Sequence, residues 1–283
     1  MKGKNWREYA PEKEQKKTSA RQTAKTGRTT ETAARTPNRR RRKRKGGLVQ
    51  KLGKYIALFL VGYLGFMGYF TLTRPYTIAL DAGHGGVDCG AEGVIQEVTL
   101  TERTTAELQK LLEQDGRFRI ILSREAGEGK TITERNRKFR RYKPDVMLSI
   151  HGNADDNKNA HGFEAYPSPP GYENHEESLA LAVLLAEEMQ SVGATLRGTA
   201  GVRFGYYNGS GQKVLVDSSD TEVYDYDTFG MLKNMKHAAV LVEQCFVTNQ
   251  ADVNAFGTEE GCKKAAAAYY RAICRYLEQE ERK

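Results

Sequence analysis

Apolar and polar positions recur with two periods along the chain, and these periods predict strands and helices in turn from residue 76 onwards. Short apolar or β-branched runs bounded by Gly, Asp or Pro are typical of strands, and apolar residues every three or four positions are typical of helices. The predicted strands are residues 76–80, 118–122, 146–150, 162–166, 213–216 and 238–242. The predicted helices are residues 97–113, 132–142, 176–190 and 258–280, of which the second is basic.

This alternation favours an α/β fold, because parallel strands need crossover connections and helices provide them. We predict a twisted, mostly parallel sheet of about six strands with helices on both faces, in one domain over residues 76–280. The pattern shows neither an internal repeat nor a second globular domain.

Residues 55–73 interrupt this picture with 19 consecutive positions that carry no charge. As a helix they would cover roughly 29 Å, enough for one transmembrane helix. Arginines cluster on the amino-terminal side of this run, which predicts a type II single-pass protein of the cell membrane with an extracytoplasmic domain. A cleaved signal peptide and a buried helix are the alternatives, although no A-x-A cleavage site follows the run.

The first 54 residues carry the excess of positive charge, because they contain 19 Lys and Arg against 4 Asp and Glu. They also lack apolar periodicity. We predict a disordered, basic cytoplasmic tail over residues 1–54. The rest of the chain has 25 Lys and Arg against 32 Asp and Glu, so the overall charge of +8 is no argument for nucleic acid. The run 39–45 could bind nucleic acid in isolation, but the predicted span that follows makes a membrane partner the expectation.

Four polar residues lie where predicted strands end or a helix begins. His84 follows the strand of "IALDAGHGG", His151 that of "VMLSIHGNA" and Glu243 that of "AVLVEQCF", while Glu97 opens a helix. Parallel strands bring their carboxyl ends to one edge of a sheet, so these side chains are expected to meet. Two imidazoles and one carboxylate form a catalytic zinc set with an open position, and the other carboxylate has the role of a base.

Each of these residues also has an ordinary structural interpretation. A histidine after a strand is often a hydrogen-bonded turn residue, and a glutamate such as Glu97 is favoured at a helix amino terminus by the dipole. Glu243 is harder to explain in this way, because an unpaired carboxylate after an apolar strand is costly to bury. Taken together, the four residues favour a site.

The motifs that carry these residues resemble the zinc-dependent N-acetylmuramoyl-L-alanine amidases of the type 3 amidase family, bacterial cell-wall hydrolases. The resemblance covers residues 76 to about 278 and rests, in order, on "DAGHGGVDCGAEG", Glu97, "LSR", "ER", "DVMLSIHGNA", "GFEAY", "SLALAVLLAEEM" and "AVLVEQCFVTNQAD". It implies a twisted sheet of about six strands and hydrolysis of the amide between N-acetylmuramic acid and L-alanine in peptidoglycan. Carried over by position, it implies His84, Glu97 and His151 as zinc ligands and Glu243 as the catalytic carboxylate.

Other polar residues and other functions stay open beside this interpretation. Asp81 is either a residue that orients a metal ligand or a turn acceptor at the end of its strand. His161 is the rival ligand, whereas His175 and His237 have charged neighbours and are expected at the surface. The alternative functions are a non-catalytic peptidoglycan-binding or structural module, another zinc hydrolase such as a peptidase or deacetylase, and a sensor whose basic tail binds lipid or nucleic acid.

Two of the four cysteines depart from the family pattern, with Cys89 where proline is usual and Cys245 where glycine is usual. Both are expected near the metal edge of the sheet, where they either form a disulfide or stay as free thiols. Cys262 and Cys274 lie on one predicted helix, about 18 Å apart along its axis and beyond the roughly 7 Å limit for a bridge, so they cannot pair with each other.

Overall fold

The structure, a computed structural model, describes residues 46–281, with the side chains of residues 46–49 and 68–73 outside the description. Residues 1–45 of the predicted tail therefore lie outside the described residues. The described residues divide into two units, the first ending at Tyr63 and the second beginning at Leu64.

Helix α1, Gly46–Thr73, is the first described element. It includes residues 46–54, so the prediction of disorder is wrong for that part of the tail. Once the apolar run that follows forms a helix, each further residue adds a hydrogen bond without a new nucleation cost.

Several apolar side chains of α1, including Leu58, Phe59 and Leu64, are 66–70% exposed. The predicted span 55–73 falls within this helix but includes residues 68–73, whose side chains are not described. Among the helices as described, none combines the length and the mean hydropathy that crossing a bilayer requires. This finding does not support the predicted span.

The unit Leu64–Lys283 contains the predicted α/β domain. Its strands and helices in chain order are β1 (Tyr76–Ala82), α2 (Glu97–Asp115), β2 (Phe118–Leu122), α3 (Ile132–Tyr142), β3 (Val146–Asn153), β4 (Glu164–Pro167), α4 (His175–Ser191), β5 (Arg203–Tyr207), β6 (Lys213–Asp217), β7 (Asp227–Thr228), β8 (Ala238–Phe246), α5 (Gln250–Asp252), a π-helical turn (Val253–Gly257) and α6 (Glu259–Glu280).

The main sheet has five strands in the order β2-β1-β3-β8-β4, of which the first four are parallel and β4 runs antiparallel to β8. The sheet is thus mixed. The predicted number of about six strands is wrong, because the main sheet has five. The predicted strand 213–216 belongs elsewhere, as β6 of a separate antiparallel sheet with the order β6-β5-β7. Sequence reasoning missed β5, because Gly205 at its centre weakens the strand pattern. A Cβ there would lie 2.2 Å from the Phe229 ring.

Helices cover both faces of the main sheet, as predicted. Because side chains alternate along a strand, Ile78 and Leu80 of β1 face one side, where α2, α4 and α6 pack. Ala79 faces the other side, where Phe139 of α3 and Phe229 complete a smaller core. The carboxyl ends of β1, β3 and β8 remain open between these layers, and the polar residues of interest lie there.

A β-bulge interrupts β8 at this open edge. His151 of β3 is paired with Glu243, but Asn153 is paired with Phe246, so β8 has one residue more than its neighbour. The extra residue reverses the alternation of side chains after Glu243. Glu243 therefore shares the face of Leu241, whereas Cys245 lies with Val242 in the core under α6.

Candidate metal and catalytic site

The structure brings together His84, Glu97 and His151, each of which offers a ligand atom within 4.8 Å of the other two. His84 follows the end of β1 with a left-handed backbone, φ 64°, and His151 lies near the end of β3. Glu97 is the first residue of α2. Its Oε1 atom lies 3.0 Å from Nε2 of His84 and 2.9 Å from Nδ1 of His151, so one carboxylate oxygen joins the two rings.

Backbone donors hold the Glu97 carboxylate in this position. The Gly152 amide donates to Oε1 at 3.1 Å, and the Ala91 amide donates to Oε2 at 2.9 Å. Burial alone would raise the pKa of Glu97, but the hydrogen bonds and charges of His151 and His84 outweigh it and lower that pKa well below its usual range. Glu97 is thus a fixed anion between two imidazoles.

The second ring nitrogen of His84 has a carboxylate partner of its own. Its Nδ1 lies 3.0 Å from Oδ2 of Asp88, which leaves Nε2 directed at the cluster. Burial lowers the pKa of His84, but Glu97 and Asp88 outweigh it and raise that pKa to about 9. A carboxylate behind a histidine is the usual arrangement for orienting a metal ligand. Sequence reasoning missed Asp88, although it stands only four residues after His84 in the glycine-rich loop.

Two glycines make room for the cluster. A Cβ on Gly90, where φ is 68°, would lie 2.6 Å from both Oε2 of Glu97 and Cδ2 of His84. A Cβ on Gly83 would lie 2.5 Å from the His151 ring. The donor set of two imidazole nitrogens and one carboxylate, the close spacing and this space together fit a divalent metal such as zinc.

Glu243 lies beside the cluster, opposite His151 on the neighbouring strand, and is 9% exposed. Its Oε2 atom is buried and has no hydrogen-bond partner among the described residues. Burial raises the pKa of Glu243 to about 7, against the opposing charges of His151 and Lys213 and with reinforcement from Glu97. A carboxyl group that titrates near neutrality and has a free oxygen suits a general base.

These four residues lie in one cleft of about 430 Å³. The opposite wall comes partly from the second sheet, with Tyr207 of β5 and Lys213 of β6, and from Phe229. The Lys213 ammonium lies 5.2 Å from the centre of the Phe229 ring and 5.5 Å from that of Tyr166. This wall places a cation and an exposed aromatic ring across from Glu243, and sequence reasoning missed it together with β5.

The other polar candidates have partners outside the cluster. Asp81 is fully buried and accepts hydrogen bonds from Arg135 at 2.7 Å and from Ser149 at 2.6 Å. This geometry agrees with an acceptor role inside the fold. His161, the rival ligand, lies on the surface with Nδ1 2.8 Å from the carbonyl oxygen of Asn159. His175 contacts the Ser168 carbonyl, and His237 is half exposed.

The four cysteines are all free thiols, so of the two possibilities for Cys89 and Cys245 the structure has the unbridged one. Both cysteines were expected near the metal edge of the sheet, and the bulge in β8 explains why Cys245 does not lie there. The bulge directs Cys245 into the core under α6, whereas the Cys89 thiol contacts Glu92 at the surface of the loop between β1 and α2, which we call the metal loop.

Comparison with known proteins places these motifs in a family. The sequence pattern of the N-acetylmuramoyl-L-alanine amidases matches residues 78–275. A cell wall amidase of Bacillus anthracis, itself uncharacterised, is 29% identical over 211 residues, which are 71% of this chain and 35% of the relative. A probable N-acetylmuramoyl-L-alanine amidase of Haemophilus influenzae, AmiB, is 31% identical over 112 residues, which are 38% of this chain and 26% of the relative.

A solved structure has the same fold. The CwlD amidase of Clostridioides difficile, determined in complex with the GerS lipoprotein, is 26% identical, and the match covers 72% of this chain and 98% of that one with a TM-score of 0.54. The chain spans only about a third or less of the length of the two curated relatives. Since the family match extends over more than half of the chain and includes all four residues of the cleft, this protein is an enzyme of the N-acetylmuramoyl-L-alanine amidase family.

Proposed function

We propose that the enzyme hydrolyses the amide bond between N-acetylmuramic acid and L-alanine in peptidoglycan and releases the stem peptide. In this proposal His84, Glu97 and His151 hold one zinc ion, and Glu243 is the catalytic base. The observation that carries the assignment is the buried Oε2 of Glu243, which has no hydrogen-bond partner in the described part of the chain and lies beside a cluster of two histidines and a glutamate. Membership of the family supports the substrate class.

Zinc, when bound, supplies Lewis-acid chemistry that polarises a carbonyl group and acidifies water. The residues of the chain supply the rest. Asp88 holds the His84 ring through Nδ1, and the Gly152 and Ala91 amides hold Glu97, so the donor atoms are positioned before substrate arrives.

Glu243 moves the proton. Its Oε2 atom accepts a proton from the attacking water and then passes it to the departing alanine nitrogen, which leaves as an amine. In the metal-free protein burial raises the pKa of this carboxyl to about 7, which makes it a better proton acceptor than an ordinary carboxylate. Of the three alternatives, a non-catalytic module and a different zinc hydrolase lack an observation in their favour, and the sensor depends on a basic tail that lies outside the described residues up to position 45.

We also propose that residues 55–73 anchor the enzyme in the cell membrane with the catalytic domain on the extracytoplasmic side. The support is the absence of charge over these 19 positions and the excess of Lys and Arg before them.

The test is digestion of purified peptidoglycan by the zinc-loaded full chain, followed by mass spectrometry of the products. We expect free stem peptides that begin with L-alanine and glycan strands that keep intact muramic acid. Glu243→Gln should retain the zinc and lose activity by a factor of about 10² or more. Products cut within the stem peptide, or loss of acetyl groups, would contradict the proposal, and loss of zinc from the variant would make Glu243 a ligand.

A further inference from the structure

We call the cleft that contains His84, Glu97, His151 and Glu243 the catalytic cleft. A second cleft, of about 690 Å³, lies away from it and is lined by cations. We call it the basic cleft and define it by Arg137, Arg140, Arg141, Lys143 and Lys236, over a floor that includes Met147 and Met235. The first three residues belong to α3, and Lys236 belongs to the loop before β8. The chain thus brings positive charge to one place from segments almost 100 residues apart.

The basic cleft lies at the edge of the main sheet opposite the catalytic cleft. Lys143 comes three residues before the start of β3, and Lys236 comes two residues before the start of β8. The amino ends of these strands are adjacent, since Val146 is paired with Ala238. His151 and Glu243 lie five residues further along the same strands, roughly 17 Å away.

The charges of the basic cleft are largely unopposed. Arg140, Arg141 and Lys143 are exposed and form no ion pair with any residue that the structure describes. The cleft contains one acidic residue, Glu173, which is paired with Lys236 at 2.6 Å. The dipole of α3 favours cations at its carboxyl end, where Arg140, Arg141 and the C-cap residue Lys143 lie, but it gives their side chains no counter-ion among the described residues. The unopposed positive charge favours binding of an anionic partner.

The path of the chain favours a lipid surface as this partner. Arg74 follows directly after α1 and forms an ion pair with Asp145 at 2.6 Å, and the Thr77 amide donates to the same carboxylate at 2.7 Å. Asp145 is two residues from Lys143, so the chain enters the sheet beside the basic cleft. Thr73 and Tyr76 are separated by at most roughly 11 Å of extended chain. A bilayer that holds the residues before Arg74 would therefore lie nearest this edge of the sheet.

We propose that the basic cleft binds the headgroups of anionic phospholipids and seats the domain on the bilayer with the catalytic cleft directed away from it. The inference rests on the membrane anchoring proposed above. Each cation next to a membrane favours contact with an anionic surface roughly 5-fold. Arg140, Arg141 and Lys143 together are therefore expected to increase the population in which the domain contacts the bilayer by about 10²-fold. The catalytic cleft would then face the wall and not the lipid.

The test uses the full chain reconstituted into nanodiscs of phosphatidylcholine alone or with phosphatidylglycerol, with hydrogen exchange measured by mass spectrometry. We expect exchange of residues 132–145 to slow by about 3-fold or more in the anionic discs, and exchange of residues 84–96 to stay unchanged. The variant R140Q/R141Q/K143Q should lose this protection. The control variant R103Q/K110Q/K263Q removes the same charge from exposed positions on α2 and α6 and should keep it.

Three results of the hydrogen-exchange measurement would overturn the proposal. The first is equal exchange of residues 132–145 in the two kinds of disc, and the second is protection that survives R140Q/R141Q/K143Q. The third is protection by soluble poly(glycerol phosphate) with neutral discs but none by anionic lipid, which would assign the cleft to a phosphate polymer.

Separate measurements test membrane anchoring and catalytic activity. Co-elution of the chain with neutral discs tests the membrane anchor. If the chain does not co-elute with neutral discs, co-elution with anionic discs that requires Arg140, Arg141 and Lys143 still supports the basic cleft. Co-elution with neither kind of disc overturns both. Hydrolysis of soluble muropeptides should be the same for R140Q/R141Q/K143Q as for the unchanged chain, because the basic cleft lies at the other edge of the sheet.

Discussion

Asp88 contacts His84, a predicted zinc ligand, with its Oδ2 atom 3.0 Å from Nδ1 of the ring. We expect Asp88→Asn to lower the zinc affinity of the full chain by about 10- to 100-fold, because the amide orients the ring less firmly and no longer increases its basicity. Competition with a fluorescent chelator measures this change. Asp225→Asn, at an exposed site that has no contact with the cluster, is the control. An unchanged affinity in Asp88→Asn would mean that packing alone holds the ring.

Glu243 makes the stability of the metal-free protein depend on pH. Its pKa is raised from 4.5 to about 7 in the folded state, so the folded protein binds the proton more tightly than the unfolded chain. The stabilisation by this proton is complete below about pH 4.5 and is lost as the pH rises through 7. Glu243→Gln cannot ionise and should therefore be more stable than the unchanged chain at pH 8, by roughly 1–3 kcal/mol, with little difference at low pH.

Urea unfolding of the metal-free full chain at pH 4.5 and pH 8, followed by near-ultraviolet circular dichroism, measures this difference. Glu278→Gln removes an exposed carboxylate from α6 and should change the stability little at either pH. A stability difference between Glu243→Gln and the unchanged chain that is the same at both pH values would contradict the assigned pKa.

At the scale of the element, the loop between β1 and α2 packs its backbone closely against the proposed metal ligands. Gly90 and Gly127 have nearly the same left-handed φ, 68° and 72°, but only a Cβ on Gly90 would meet other atoms, Glu97 and His84, at 2.6 Å. Both alanine variants incur the strain of that conformation, of about 1 kcal/mol. Gly90→Ala should in addition displace the ligands.

We therefore expect Gly90→Ala to lose most of its zinc during purification and Gly127→Ala to retain about one equivalent. Metal analysis of the two proteins tests this pair directly, with circular dichroism to show that both are folded. Equal zinc content would show that the loop moves enough to accept a side chain.

For the whole molecule, the structure predicts a protein without disulfides. The full chain should show four thiols that react with Ellman's reagent after denaturation without reductant, since all four cysteines are free. Before denaturation Cys245 and Cys262 should react slowly, because both are buried. Two reactive thiols in the denatured protein would indicate a bridge and a different path for β8 or for the metal loop.

The sequence by itself determined most of the elements and the four residues of the catalytic cleft. The strands β1, β3 and β8 and the helix α2 lie within a few residues of their predicted positions, because local apolar periodicity reports burial. His84, Glu97, His151 and Glu243 could be grouped from the sequence alone, since parallel strands must gather their carboxyl ends at one edge.

Only the tertiary structure decided the features that depend on which segments become neighbours. The reversal of β4, the second sheet that brings Lys213 to the catalytic cleft, and the bulge that separates Cys245 from Glu243 leave no periodic signal in the chain. The basic cleft likewise joins α3 to a loop almost 100 residues later. Such contacts follow from strand order and register, which depend on how whole faces pack together and not on the residues next to each other in sequence.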